Sequence, residues 1–211
     1  MPPELKDQIQ NAGLTLLVDN DYSIQKSAAN LVSTIYILRF QLSNKWEDLL
    51  SKLSDNASSK KPEIQKASIY TISYICEELF SKKLLLSDNE IEKILSSICS
   101  SISEDQPNED VKLTGLKAFQ VSHNYFSNIM QQEKIRTFVM DLLVKCTIRP
   151  NNSPDITMLA YECLTDISTV LYDHLGSYLP VISKLSIDLI NSPTENEMCI
   201  IPAMEFWTSI A

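Results

Sequence analysis

The chain has 211 residues, 44% hydrophobic and 21% charged, with a formal net charge of −9. That length can bury a substantial core, and that charge lacks the clustered Lys and Arg that nucleic acid demands, favouring basic protein partners instead. No apolar run reaches the roughly 18 residues of a membrane span, MPPELKDQIQ has no basic-then-apolar leader, and three glycines are few for the turns of a sheet protein, so the expected class is all-α.

The first element reads as a helix with the apolar stripe Leu5, Ile9, Ala12 and Leu16. VDNDYS ends it, and SIQKSAANLVSTI opens a second helix at Ser23. The next pair has the stripe Trp46, Leu49, Leu50 and Leu53, the turn SDNASSKKP, and EIQKASIYTISYI from Glu63. Within it, KASIYTISYICEELF is rich in Ile, Tyr and Thr, which favour strands. At helical spacing, however, Ile64, Ala67, Ser68, Thr71, Ile72, Ile75 and Leu79 form one stripe. The run also outlasts a usual strand without Gly or Pro, so a helix buried on both flanks is expected.

A third pair carries Ile91, Ile94, Leu95, Ile98 and Ile102, then SEDQPNED and DVKLTGLKAFQVS from Asp110. The fourth carries Ile135, Phe138, Val139, Leu142 and Leu143, then IRPNNSPD and DITMLAYECLTDI from Asp155. The fifth carries Leu179, Ile182, Leu185 and Leu189, then NSPTENE and EMCIIPAMEFWTS from Glu197. All five turns are rich in Asn, Asp, Ser or Pro, which end one helix and cap the next.

The second helices share a register. Each opens on an aliphatic (Ile24, Ile64, Val111, Ile156, Met198), with a small residue four later (Ala28, Ser68, Gly115, Ala160) except at Pro202. A core-type residue follows at eight: Val32, Ile72, Phe119, Leu164, Phe206. The openings recur every 40 to 47 residues, inside the roughly 40–47 window of HEAT and armadillo repeats. The expected fold is therefore an α-α superhelix, a single HEAT-repeat array over 1–211 with about five antiparallel helix pairs near 3–41, 45–81, 88–127, 131–174 and 175–211. Neither end shows the polar face that closes a solenoid, so a piece of a longer array is expected.

No catalytic constellation emerges, and an enzyme is not expected. His123 and His174 are far apart, no HExxH, GxSxG or Cys–His pattern occurs, and Gly13, Gly115 and Gly176 stand alone. Adjacent carboxylates such as Glu77/Glu78 and Glu104/Asp105 diverge on a helix. Cys76, Cys99, Cys146, Cys163 and Cys199 lack metal-type spacing and read as reduced thiols in or near the core. Pro180 and Pro202 read as first-turn or kink prolines. What remains is binding along the two surfaces of a solenoid. Where apolar residues are adjacent, as at Phe138/Val139, Leu95 beside Ile94 and Cys99 beside Ile98, one should point outward; the alternative is that all are core.

KWEDLLSKL, KASIYTISYICEEL, EDQPNEDVKLTGLKAF and AMEFW, in that order, resemble the importin-β (karyopherin-β) family of nuclear transport receptors, over nearly the whole chain. The match is strongest at Trp46, Tyr74-Ile75-Cys76, Val111-Lys112-Leu113 and Glu205-Phe206-Trp207, and corresponds to roughly the third to seventh HEAT repeats. The resemblance implies a carrier of the cytoplasm, nucleus and nuclear pore that binds Phe-Gly nucleoporins outside and the GTP form of Ran inside, with no cofactor. It implies Phe-Gly contacts at Leu95, Cys99, Phe138 and Val139, a second groove at Ile182 and Leu185, and Ran contacts at Glu78 and Glu205. Cys99 stands where a larger aliphatic is usual, and Ile135 where a Glu can occur. Importin-α or cargo would be held mainly by regions beyond this sequence. The other class considered is a HEAT scaffold that organises a multiprotein complex, as phosphatase scaffold subunits do.

Overall fold

The computed structural model describes residues 3–19, 21–148, 151–192 and 197–211. Among them lie ten α-helices and no strand. They are α1 (Pro3–Leu16), α2 (Tyr22–Gln41), α3 (Leu49–Ala57), α4 (Pro62–Ser81), α5 (Asp88–Ser101), α6 (Glu109–Phe126), α7 (Glu133–Cys146), α8 (Pro154–Ser168), α9 (Leu179–Ile190) and α10 (Glu197–Ile210). Short 3₁₀ turns at Ile129–Gln131 and Tyr172–Ser177 precede α7 and α9. The fold is the all-α array of helix pairs that the register implied. Asn20, residues 149–150 and 193–196, which fall in three of the expected turns, and the side chain of Leu5 lie outside the described residues.

The chain divides into two compact units, Met1–Ser101 and Ile102–Ala211. In the first, α1 packs on α2, α2 on α4, and α3 on both α4 and α5. In the second, α8 lies between α6 and α10, α7 covers α8, and α9 covers α10.

Helix starts follow capping chemistry. Asp21 accepts from the backbone N–H groups of Ser23 and Ile24, Asn108 from Val111 and Ser153 from Ile156, satisfying donors that a first turn leaves open. Pro62, Pro154 and Pro180 occupy first turns, where the missing N–H costs nothing, whereas Pro202 lies inside α10. Helices α2 and α4 end in left-handed residues, Ser43 (φ 53°) and Lys83 (φ 54°). The next amides, of Asn44 and Leu84, bond back to the Arg39 and Leu79 carbonyls at 3.0 and 2.9 Å, closing each helix as a Schellman turn.

The run that reads locally as strand is helix throughout, with Ala67, Ser68, Ile69, Thr71, Ile72, Ser73, Ile75, Cys76 and Leu79 buried. That arc is wider than one stripe because α2 and α3 cover α4 from two sides. Burial outweighs the weak strand preference of the β-branched residues.

Three local expectations change. Trp46 precedes α3 and is half-buried in the connecting segment, its carbonyl accepting from the Leu49 amide at 3.3 Å. In α1 the buried face is Gln10, Gly13 and Leu17, whereas Ala12 and Leu16 are exposed. A Cβ on Gly13 would sit 3.0 Å from Val32 Cγ2, so α1 turns its one bare backbone position onto α2 and the larger aliphatics rotate outward. In α10 only the opening aliphatic departs: Met198 is half exposed and Cys199 is buried in its place, whereas Pro202 and Phe206 are buried where the register puts them, with Ala203 buried beside Pro202.

Candidate docking surfaces

The first helices differ in what they expose, and the periodicity of each explains it. The open stripe of α5 is Glu92, Ser96 and Ser100, spaced at i, i+4 and i+8 and entirely polar. Ile94, Leu95, Ile98 and Cys99 are all buried. Polar partners from α3 hold this orientation: Ser97 Oγ lies 2.8 Å from Ser54 Oγ, and Lys93 Nζ donates to Ser51 Oγ at 2.9 Å. Neither member of the adjacent pairs on α5 points outward, which corrects that expectation. Burial also pushes the Cys99 thiol up to about 12.

On α7 the open stripe is Lys134, Thr137, Phe138, Asp141 and Lys145. Phe138 is 52% exposed, whereas its neighbour Val139 is fully buried with Met140 and Leu143. Here the adjacent pair does split as expected. Tyr178 Oη donates to Thr137 Oγ1 at 3.3 Å, bringing the start of α9 beside the middle of α7.

Helix α9 is apolar on nearly every side, so tertiary contacts rather than pattern select its inner face. Trp207 Nε1 donates to Ser186 Oγ at 3.1 Å, and Tyr161 Oη lies 3.3 Å from the same oxygen. This polar tie turns Ser186 inward, and Ile182, one turn earlier on the same face, is 1% exposed. Leu185 is half-buried, and Val181, one turn beyond Tyr178, is 42% exposed.

Of the six candidate nucleoporin contacts, Phe138 alone is exposed, Leu185 is partly open, and Leu95, Cys99, Val139 and Ile182 present almost no surface. Near the Thr137–Tyr178 contact, the exposed Phe138 follows Thr137 on α7 and the exposed Val181 lies one turn beyond Tyr178 on α9. Val181 was not singled out from sequence, although its i+3 spacing from Tyr178 was available as a signal.

The two candidate acidic contacts are both exposed, Glu78 on α4 and Glu205 on α10. Glu78 is ion-paired with Lys82 one turn on. On α8, Glu162 is partly exposed and accepts from Gln120 Nε2 of α6 at 3.3 Å, and Asp166 follows one turn later. These acids all project from second helices. His123 is spent locally, its Nδ1 lying 2.6 Å from the Gln120 carbonyl.

Among the described residues no three His, Cys, Asp or Glu side chains converge as metal ligands, and no helix is long and apolar enough to cross a membrane. All five cysteines are buried thiols outside any disulfide.

No family model matches the chain. Curated relatives do. The importin subunit beta-1 of Schizosaccharomyces pombe is 26% identical over all of this chain and 24% of its own length. That of Saccharomyces cerevisiae is 27% identical over 99% of the chain and 24% of its own length. Among solved structures, yeast importin-beta (Kap95p) superimposes with a TM-score of 0.85 at 25% identity, over 99% of this chain and 24% of that one. Kap95 in complex with Nup1 superimposes equally well, at 25% identity, as does a Kap95p structure described with RanGDP, at 26%. The likeness to importin-β therefore runs the whole length of the chain, which spans about a quarter of the relatives it matches.

Proposed function

We propose that this chain is part of an importin-β-type nuclear transport receptor, with Phe-Gly nucleoporins held on its first helices and Ran in its GTP form met by its second helices. The supporting observation is the end-to-end match to importin subunit beta-1 proteins, joined by TM-scores of 0.85 to Kap95 structures that include Nup1 and Ran partners. The work proposed is carriage between cytoplasm and nucleus rather than catalysis, with importin-α or cargo held mainly by regions outside this chain.

Phe138 is the proposed principal contact for a Phe-Gly ring, with Val181 and Leu185 completing the apolar surface. Leu95, Cys99, Val139 and Ile182 act from beneath, by holding α5, α7 and α9 in place. Burying one Phe ring contributes about 1.5–3 kcal/mol, less than the roughly 4 kcal/mol of a millimolar site. One ring therefore releases quickly, while a chain of many rings is retained through effective concentration. On the second helices, Glu78 and Glu205 are proposed to pair with basic Ran side chains.

Retention on immobilised Phe-Gly repeats tests the first part, wild type against Phe138→Asp with Val181→Asp. Both positions are open, so circular dichroism should be unchanged and retention lost; equal retention overturns the assignment. Titration with Ran loaded with GTP or GDP tests the second, and a lack of preference for GTP counts against it.

A further inference from the structure

The stretch Val111-Lys112-Leu113 carries part of the family resemblance, yet neither docking surface uses it. Val111 is buried where α6 opens, and Lys112 beside it is half-buried. Among the described residues no ion pair or hydrogen bond engages the Lys112 ammonium. A partly buried cation without a counter-ion carries an unmet electrostatic cost.

Lys112 lines a small polar cavity of about 130 Å³ in the second unit, together with Lys145, Glu104, Asn151 and Asn152. The apolar part of the lining, Ile102, Leu142 and Cys146, is buried, which strengthens charge interactions inside it. The Cys146 thiol registers both signs: burial pushes it up to about 11, Lys112 opposes the rise and Glu104 adds to it. Lys145 Nζ donates to Glu104 Oε2 at 2.8 Å, a bond that raises the lysine's pKa, with Asp141 and Asp105 adding to it through space. Asn152 Nδ2 covers the Lys145 and Ile148 carbonyls at 3.0 and 3.2 Å, which masks the negative end of α7. Two ammonium groups against one carboxylate leave an excess of positive charge here, in a chain whose formal net charge is −9.

We propose that this cavity binds a phosphoryl group, with Lys112 and Lys145 as its cations and Asn151 as a neutral donor. Glu104 holds the place in the free protein. Its pair with Lys145 is exposed on both sides, 67% and 48%, and pairs of that kind contribute little, so a dianion can take Lys145 from it. The volume suits one tetrahedral oxyanion, and its two charges balance the two ammonium groups once Glu104 swings out. A single carboxylate would need only Lys112 and would leave Glu104 where it is.

Amide NMR spectra of the whole chain test this at constant ionic strength and about pH 7.5, where a phosphoseryl group is dianionic. The ligands are inorganic phosphate, a short phosphoserine peptide, the same peptide unphosphorylated, and acetate. Phosphate should shift the amides of Lys112, Lys145 and Asn151 saturably. Lys112→Ala should weaken binding about tenfold or more, and Glu104→Gln should tighten it about threefold by removing the competitor. Asp188→Asn, the same change of charge at an exposed position of α9, should bind as wild type. A phosphopeptide that binds more tightly than phosphate assigns the group to a partner chain, and one no tighter assigns it to the free ion. The proposal is overturned by shifts that saturate with neither phosphate ligand, or by acetate or the unphosphorylated peptide binding as well. Lys112→Ala binding as wild type, or Glu104→Gln behaving as Asp188→Asn, overturns it equally. Lys112→Gln repeats the test if Lys112→Ala loses helical circular dichroism.

Discussion

Ser186→Ala isolates the polar tie that orients α9. The substitution removes one oxygen and leaves almost no cavity, so its cost is that of the hydrogen bonds alone. Trp207 Nε1 loses the acceptor at 3.1 Å, and Tyr161 Oη loses its neighbour at 3.3 Å. Tyr161 is buried, with burial raising its phenol pKa against the opposing bonds from Ser186 and Thr147, so Thr147 remains as a partner. Trp207 is half-buried and can turn partly to water. Each bond contributes about 0.5–1.5 kcal/mol net; with both partners partly compensated, the expected loss is about 1.5 kcal/mol. For an m-value of about 2 kcal/mol/M the urea midpoint falls by about 0.7 M. The two tryptophans fall one in each unit, so a Trp46→Phe background lets Trp207 fluorescence report the second unit alone. A cycle with Trp207→Phe, followed in all four variants by far-UV circular dichroism because that substitution removes the fluorophore, should show a coupling of about 0.5–1.5 kcal/mol. A midpoint unchanged by Ser186→Ala, or a coupling of zero, would refute the claim that this oxygen sets the face of α9.

Three further outcomes follow from the same structure. Lys83→Gly should raise stability by about 0.5–1 kcal/mol, because a left-handed residue with a Cβ costs about 1–2 kcal/mol and the flexibility of unfolded glycine returns part of the gain; a lowered urea midpoint would contradict it. At Glu90, burial raises the carboxyl pKa but the bonds from Lys45 and Ser87 outweigh it and hold the group below its usual value. Its contribution is thus present above the ordinary carboxylate range and lost as pH falls through the lowered folded pKa. The difference in Tm between wild type and Glu90→Gln should shrink from neutral pH to pH about 3, and a constant difference would remove this pair from the acid response. Burial places the Cys99 thiol at about 12 and Cys146 at about 11, and raises Cys163 well above its usual value. All five thiols should therefore resist a disulfide exchange reagent in the folded protein and react together in urea; prompt labelling of the folded chain would show that the core opens.

Helix identity, pair order and the register of the second helices were readable from the residues, even through the Ile- and Tyr-rich run of α4. Those properties rest on local physics: a 3.6-residue period, capping side chains within three residues of the amides they satisfy, and proline in first turns. Which flank of a first helix stays open was not readable. On α7 the pair Phe138/Val139 divided as its spacing suggested, yet on α5 the same spacing buried Leu95 and Cys99 because the polar stripe Glu92–Ser96–Ser100 claimed the open face. On α1 a single missing Cβ at Gly13 turned the helix so that Leu16 faced out, and on α9 the oxygen of Ser186 chose an inner face among near-equivalent apolar ones. Periodicity fixes that a face exists, but its azimuth is set by contacts between residues some 20 to 50 positions apart in the chain, which no local pattern encodes.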